Sequence, residues 1–179
     1  MPVPLVRVGL LKQDRQRFFY SLVRWHMTSS AIAELLNRDD VRGRIIKDAA
    51  IIESEMGVVI AFYFTTNKRF GPFYDLIIDR LGFNDKIAIL EKIPYSKRYV
   101  SLKSFAHVRQ LQQVRNYVAH NYYIQHTDKK VASASWKPLF SNYPKSYDSA
   151  IQAARRGIGR LTRTNEFLDH FAPARRGAT

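Results

Sequence analysis

The chain has 179 residues, 46% of them hydrophobic and 25% charged, a composition that argues against disorder and predicts one globular domain over 1–179. It contains no cysteine, which excludes disulfides and thiolate metal sites and indicates a cytoplasmic protein. The formal net charge is +14, and residues 95–179 carry fifteen Lys and Arg against four Asp and Glu. We expect this half to attract nucleic acid, with a solvated basic surface or an acidic protein partner as alternatives.

The N-terminal part of the sequence predicts two helices. Arg7 and Lys12 interrupt its apolar residues, so no secretory signal is expected there. Helical spacing predicts a first helix that ends near residues 29–30 and carries four large apolar side chains, Leu11, Phe18, Leu22 and Trp25. Ser30 is predicted to cap a short second helix.

A long helix follows, marked by apolar residues at steps of three and four. They fall on one helix face and are Val41, Ile45, Ala49, Ile52, Met56, Val59 and Tyr63. Asp39 or Asp40 is the predicted N-cap. Residues 57–64 are apolar on all sides, which predicts a central place in the core. Because this window is too short to cross a bilayer, no membrane partner is expected.

Two shorter helices are predicted next. Gly71-Pro72 is typical of a turn, after which a helix closed by Gly82 is predicted. Its apolar residues are Phe73, Leu76, Ile77 and Leu81. Asn84 is predicted to cap the following helix, which Pro94 ends because proline cannot continue a helix.

The C-terminal half begins with another long helix, predicted from Ser101. Its apolar stripe is Leu102, Phe105, Val108, Leu111, Val114, Val118 and Tyr122. Residues 126–148 lose the helical period and predict a long basic and aromatic loop, with a small hairpin over 131–136 as an alternative. A last helix is predicted from about Ser149, before a basic tail at 173–179. The sum is an all-α, up-and-down helical bundle of about five to six helices.

Cations in these last segments are candidate nucleic-acid contacts. The loop contributes Lys129, Lys130 and Lys137, and the last helix contributes Arg155, Arg156, Arg160 and Arg163. Positions three and four apart share a helix face, so the arginines form a basic ridge suited to phosphate. A solvated polar face is the alternative interpretation.

The segment from Arg115 to His120 combines three groups suited to RNA phosphates. An imidazole can give or take a proton near neutral pH, and a guanidinium binds phosphate oxygens while keeping its charge. Asn116 adds an amide that can orient either the imidazole or the phosphate. Metal-free RNA cleavage needs a base, an acid and cationic donors. No metal site or cofactor is expected, since His120 and His126 lack a carboxylate to complete a ligand set.

The spacing of these residues favours a homodimer. At about 100° per residue, Asn116 and His120 lie on one helix face, whereas Arg115 lies about 140° around the axis from His120. Two facing copies of the helix could bring the arginine and histidine of both chains to one composite site. The alternative is structural: Arg115 pairs with a carboxylate and His120 packs against a neighbouring helix.

The segment from Arg115 to Tyr122 resembles the R-x4-H-x-Y signature of the HEPN superfamily. No other Arg and His in the chain have this spacing. Two upstream stretches are similar to its mannitol-repressor-like and related subgroups, and the likeness covers residues 40–125. These stretches are Ile51-Ile52-Glu53-Ser54-Glu55 leading into Phe62-Tyr63-Phe64, and Leu81-Gly82-Phe83-Asn84-Asp85-Lys86-Ile87.

The resemblance implies a helical bundle, usually dimeric, that acts as a metal-independent endoribonuclease in toxin–antitoxin and other defence systems. Arg115 and His120 would be the catalytic pair and Asn116 the polar residue after the arginine. Tyr122 would match the motif tyrosine that a nucleotidyltransferase antitoxin modifies with AMP in some of these toxins. We therefore expect a cytoplasmic RNA-cleaving homodimer. The alternatives are a non-catalytic nucleic-acid-binding or regulatory relative, and an interaction module bound by an acidic partner.

Overall fold

The apolar stripes of the sequence fold into packed helices in the computed structural model, which describes residues 27–93 and 102–161. The helices in these ranges are α1 (Ser29–Asn37), α2 (Asp39–Phe64), α3 (Phe70–Leu76), α4 (Phe83–Lys92), α5 (Leu102–His120), α6 (Lys129–Ser133) and α7 (Lys145–Leu161). Three short 3-10 segments accompany them, at Asn67–Arg69, Ile78–Arg80 and Lys137–Phe140. Neither range contains a strand, so the predicted all-α class is confirmed.

Five of these helices have nine residues or more, and α3 and α6 are shorter. The five longer helices agree with the expected bundle. The apolar residues of the predicted first helix, the predicted phosphate contact Arg163 and the tail 173–179 lie outside the described residues. The predicted end of that helix near residues 29–30 is wrong, because residues 27 and 28 are not helical and α1 begins at Ser29.

Helix α2 is the centre of the bundle, because it contacts α1, α3, α4, α5 and α7. The predicted stripe from Val41 to Val59 is fully buried, and Tyr63 is half-buried at its end. Burying such a stripe removes apolar surface from water, which stabilises the packing of the surrounding helices. Helices α5 and α7 also pack against each other, so α2, α7 and the motif helix α5 all contact one another.

Several predicted helix starts are wrong by one or two residues. Thr28, not Ser30, caps α1, since its side-chain oxygen accepts from the amide of Ala31. Only Arg38 separates α1 from α2, so Asp39 and Asp40 lie inside the first turn of α2 rather than at its cap. Negative charge in that turn is favourable because the helix dipole is positive there.

The region around α3 also differs from the prediction. Gly71 and Pro72 lie within the first turn of α3, where proline is tolerated because its missing N–H has no partner in the helix. The helix ends at Leu76, which is exposed, and the buried residue of this region is Ile78. Gly82 caps α4 rather than closing the preceding helix, and Asn84 lies inside α4.

The predicted loop over 126–148 is wrong, and so is the alternative hairpin over 131–136. This segment contains α6, the 3-10 segment Lys137–Phe140 and the first turn of α7, which begins at Lys145 instead of near Ser149. Its aromatic rings are part of the core: Phe140 is buried, and its ring centroid lies 5.8 Å from that of Trp136 and 5.9 Å from that of Tyr147. Large rings gain most from burial, which explains why this aromatic stretch packs inward.

Two glycines of α2 give a matched test of this packing. Gly43 has open space around the position of a Cβ atom, whereas a Cβ at Gly57 would lie 3.0 Å from Ile78 and 3.2 Å from Tyr74. We expect Gly43→Ala to raise the free energy of unfolding by about 0.5–1 kcal/mol, because alanine favours helix. The free energy of unfolding of Gly57→Ala should be lower than that of Gly43→Ala by about 1 kcal/mol or more, because the added methyl group overpacks the contact with Ile78 and Tyr74. Urea unfolding measures both, and equal gains would contradict the packing at Gly57.

Candidate functional site

The motif residues lie at the C-terminal end of α5. The helix ends at His120, which is exposed, and Val118 is its last fully buried residue. The prediction that Tyr122 continues the buried stripe is therefore wrong: Tyr122 lies beyond the helix and is 99% exposed. The chain turns back into the core at Ile124, which is buried.

Arg42 of α2 holds this end of α5 through a set of hydrogen bonds that we call the clamp. Its guanidinium donates to the carbonyl oxygen of Val118 and, over 2.8 Å, to that of Asn121, and also to that of Leu36 over 3.3 Å. Carbonyls at the C-terminal end of a helix have no partner within the helix, so a donor from elsewhere is needed. Sequence reasoning missed Arg42 because its acceptors on α5 and beyond are 76 and 79 residues away, and no local pattern signals the contact.

Asn37 fixes the segment after the motif in the same way. Its amide nitrogen donates to the Ile124 carbonyl over 2.9 Å, and its amide oxygen accepts from the Ile124 N–H over 2.8 Å. One side chain thus satisfies both backbone groups of a buried residue, as buried backbone requires. The end of α5 is consequently held on two sides from the α1–α2 junction.

An open cleft with a volume of about 410 Å³ lies beside this helix end. Its lining residues come from α5 and the turn after it, and from the segment 130–136. They are Gln113, Asn116, Tyr117, His120, Asn121, Lys130, Ala134, Ser135 and Trp136. No carboxylate is present among these lining residues, and two of them, His120 and Lys130, can carry positive charge.

The segment 128–136 is tied to α5 along the cleft. The Tyr117 hydroxyl donates to the Asp128 carboxylate, and the Ser135 hydroxyl donates to the amide oxygen of Gln113. The ring of Tyr117 also packs against Trp136, with 5.5 Å between centroids. Because of these contacts, the segment 128–136 forms one wall of the cleft, although the sequence predicts a loop there.

Of the predicted catalytic residues, the structure brings Asn116 and His120 to the cleft and leaves Arg115 beside it. Arg115 is half-buried and does not line the cleft. Its guanidinium donates to the amide oxygen of Asn116 over 3.0 Å. Within 27–93 and 102–161 it forms no ion pair with a carboxylate, so the structural alternative of a paired Arg115 finds no support there.

The three predicted lysine contacts separate in the structure. Lys130 lines the cleft with His120. Lys129 is exposed but is not one of the residues that line the cleft. Lys137 is half-buried, and its ammonium group donates to the Ser29 hydroxyl over 3.3 Å. Only Lys130 therefore shares a surface with the motif.

Two arginines of the predicted basic ridge on α7 already contact other groups of the protein. Arg155 forms an ion pair with Glu55, with 2.8 Å between Nε and Oε1. That contact raises the pKa of Arg155, and the largest cause is the hydrogen bond that the guanidinium donates to the carboxylate. Arg156 donates to a backbone carbonyl one turn earlier over 3.3 Å, and Arg160 is exposed. Arg163 lies outside the described residues, so the predicted face 156–160–163 is seen only in part.

Residues 27–93 and 102–161 contain no group of three His, Cys, Asp or Glu side chains that could hold a metal ion. None of the helices in these two ranges has the length and apolar character needed to cross a bilayer. Comparison with protein-family models, curated proteins and solved structures gives no match to this chain. The likeness to the HEPN superfamily therefore depends on the signature and the two upstream stretches of the sequence.

The clamp at the end of α5 predicts a large effect of Arg42→Ala. We expect the free energy of unfolding to fall by about 1–3 kcal/mol, because the carbonyls that Arg42 serves would lose their donor. Arg38→Ala is the matched control, since Arg38 is an exposed arginine at the same junction that pairs with Asp40. Its loss should have a clearly smaller effect, because surface ion pairs contribute little to stability. Equal losses in chemical denaturation would contradict the clamp.

The link between Tyr117 and Asp128 predicts a dependence of stability on pH. The hydrogen bond from Tyr117 is the largest cause that lowers the pKa of Asp128 below its usual 3.8. A carboxylate with a lowered pKa stabilises the fold above its unfolded-state pKa, and this contribution is lost as the pH falls through the folded-state value. Wild type should therefore be more stable than Tyr117→Phe at about pH 7, and this difference should shrink at about pH 3.

Tyr74→Phe is the control for this measurement, because the Tyr74 hydroxyl lies 3.5 Å from the Ser54 hydroxyl rather than near a carboxylate. Its stability difference from wild type should be similar at both pH values. If the Tyr117→Phe difference is also independent of pH, the hydrogen bond to Asp128 does not contribute as described.

Proposed function

We propose that the chain is a metal-independent endoribonuclease of the HEPN type, acting in the cytoplasm as a toxin or defence effector. The observation that carries this proposal is the exposed His120 in an open cleft without a carboxylate among its described lining residues. A polyanion can approach such an imidazole without meeting a carboxylate in the lining of the cleft. The resemblance of Arg115 to Tyr122 to the HEPN signature supports the same activity.

In the proposed reaction, the His120 imidazole takes the proton of a ribose 2′-hydroxyl. The 2′-oxygen then attacks the adjacent phosphorus, the bond from phosphorus to the 5′-oxygen breaks, and an acid returns a proton to that leaving oxygen. The products are a 2′,3′-cyclic phosphate and a 5′-hydroxyl. Cationic and amide donors stabilise the charge on the phosphate in the transition state.

The position of Arg115 supports a composite site across a homodimer. Arg115 is half-buried against Asn116 and does not line the cleft that holds His120. A second protomer would bring its own guanidinium to the imidazole of the first. The symmetry of a two-fold dimer would then create both sites at once.

The charge and the exposed tyrosine are consistent with the partners that the resemblance implies. The excess of Lys and Arg in residues 95–179 favours RNA as substrate and an acidic protein as inhibitor. Tyr122 is open to a modifying nucleotidyltransferase antitoxin, because its side chain is almost fully exposed.

The decisive experiment compares wild type with His120→Ala and Arg115→Ala, both on purified single-stranded RNA and on induction in cells. We expect each variant to lose about 100-fold or more in cleavage rate, because each removes a proton-transfer group or a charge-stabilising donor. His107→Ala and Arg109→Ala are the matched controls on the same helix. His107 is half-buried and hydrogen-bonds Gln110, and Arg109 pairs with Glu91; neither lines the cleft.

Mixing the Arg115→Ala and His120→Ala chains extends the same experiment to the dimer. A composite site should regain up to about a quarter of wild-type activity, since half of the dimers then hold one intact pair. Cleavage that survives His120→Ala would overturn the proposed mechanism. Salt-dependent RNA binding without turnover by wild type would indicate a binding or regulatory protein instead.

A further inference from the structure

Two side-chain amides of the cleft offer hydrogen-bond donors to a ligand. Arginine can only donate, so its contact with Asn116 assigns the amide oxygen to Arg115 and leaves the Asn116 NH2 group directed elsewhere. The amide oxygen of Gln113 likewise accepts from Ser135. Neither amide nitrogen has a hydrogen-bond partner among the described residues. Together with the imidazole of His120, these groups suit an acceptor with several oxygens.

Lys130 adds the formal charge to this set of donors. Its ammonium group forms no ion pair or hydrogen bond within the described part of the chain. The nearest carboxylate in sequence, Asp128, is already engaged: one oxygen accepts from the Tyr117 hydroxyl and the other from the Lys130 backbone N–H over 2.8 Å. The charges of Asp128 and Lys130 interact, but no ion pair joins them within the described residues, so the ammonium group can still contact a ligand.

The same two contacts of Asp128 place Lys130 at the cleft. Asp128 is the N-cap of α6, and its hydrogen bond to Tyr117 ties the start of α6 to the motif helix. Lys129 stands at the next position but does not line the cleft, although both lysines are exposed. The fold thus distinguishes two neighbouring residues of identical charge.

We propose that this cleft binds a phosphodiester of single-stranded RNA within one protomer, with the Lys130 ammonium group and the Asn116 amide nitrogen as its phosphate contacts. This inference rests on the proposed function and deepens it, because it names a cation that holds the substrate beside His120 without a second chain. A phosphate offers acceptor oxygens and negative charge, which match an ammonium group and an amide nitrogen. Arg115 then acts from the partner protomer on the transition state.

The test measures binding of a fluorescent single-stranded RNA oligonucleotide with 2′-O-methyl ribose at every position. Such a strand cannot be cleaved through its 2′-oxygen, so the result does not depend on whether the proposed function is right. We expect Lys130→Ala to weaken binding by roughly tenfold and Lys130→Glu to weaken it further, because a charge-assisted contact is lost or reversed. Lys129→Ala and Lys129→Glu should change binding by about twofold or less.

The salt dependence of binding gives a second readout. The slope of log affinity against log salt concentration should fall by about 1 for Lys130→Ala and stay unchanged for Lys129→Ala. Equal effects of the two lysines, or no effect of Lys130, would overturn the inference while leaving the His120 cleavage test unaffected. Poly-glutamate that competes equally well at the same charge concentration would overturn it in favour of an acidic protein partner.

Discussion

The candidate site depends on one constraint: the carbonyl groups at the C-terminal end of α5 have no hydrogen-bond partner within the helix. A helix that ends inside a protein needs donors for these groups, and here Arg42 supplies them from the central helix α2. Asn37 then holds the backbone that follows α5 through hydrogen bonds to Ile124. The position of His120 is therefore a consequence of the α1–α2 junction, which is far away in sequence and contains no residue of the motif.

The second wall of the cleft depends on the aromatic core of the C-terminal half. Trp136, Phe140 and Tyr147 pack together, which fixes the segment between α5 and α7 against the bundle. Polar side chains at its edge then contact α5 through Tyr117 and Gln113. Burial of the rings provides the stability, and the hydrogen bonds decide which atoms of the cleft remain open. This division explains how a basic and aromatic stretch can build a site that offers donors to a ligand.

Much of the fold could be predicted because helical periodicity is a local signal. The stripe from Val41 to Val59 is buried as expected, and so is the stripe of α5 from Phe105 to Val118. Boundaries were harder, because caps depend on single contacts such as that of Thr28 with Ala31. The aromatic segment over 126–148 was predicted wrongly, since its rings could stack on bases or pack in a core, and only their neighbours in space distinguish the two.

For the candidate site, the residue pattern proposes Arg115, Asn116 and His120 and separates Arg115 from the other two on the helix, because helix geometry relates spacing to direction. It could not reveal that Lys130 lies in the cleft of His120 whereas Lys129 and Lys137 do not. Nor could it reveal the clamp by Arg42. Those relations join residues that are distant in the chain, and they arise from the packing of α1, α2 and α6 around the end of α5. Local sequence carries the identity of the chemical groups, while long-range contacts determine which of them share a surface.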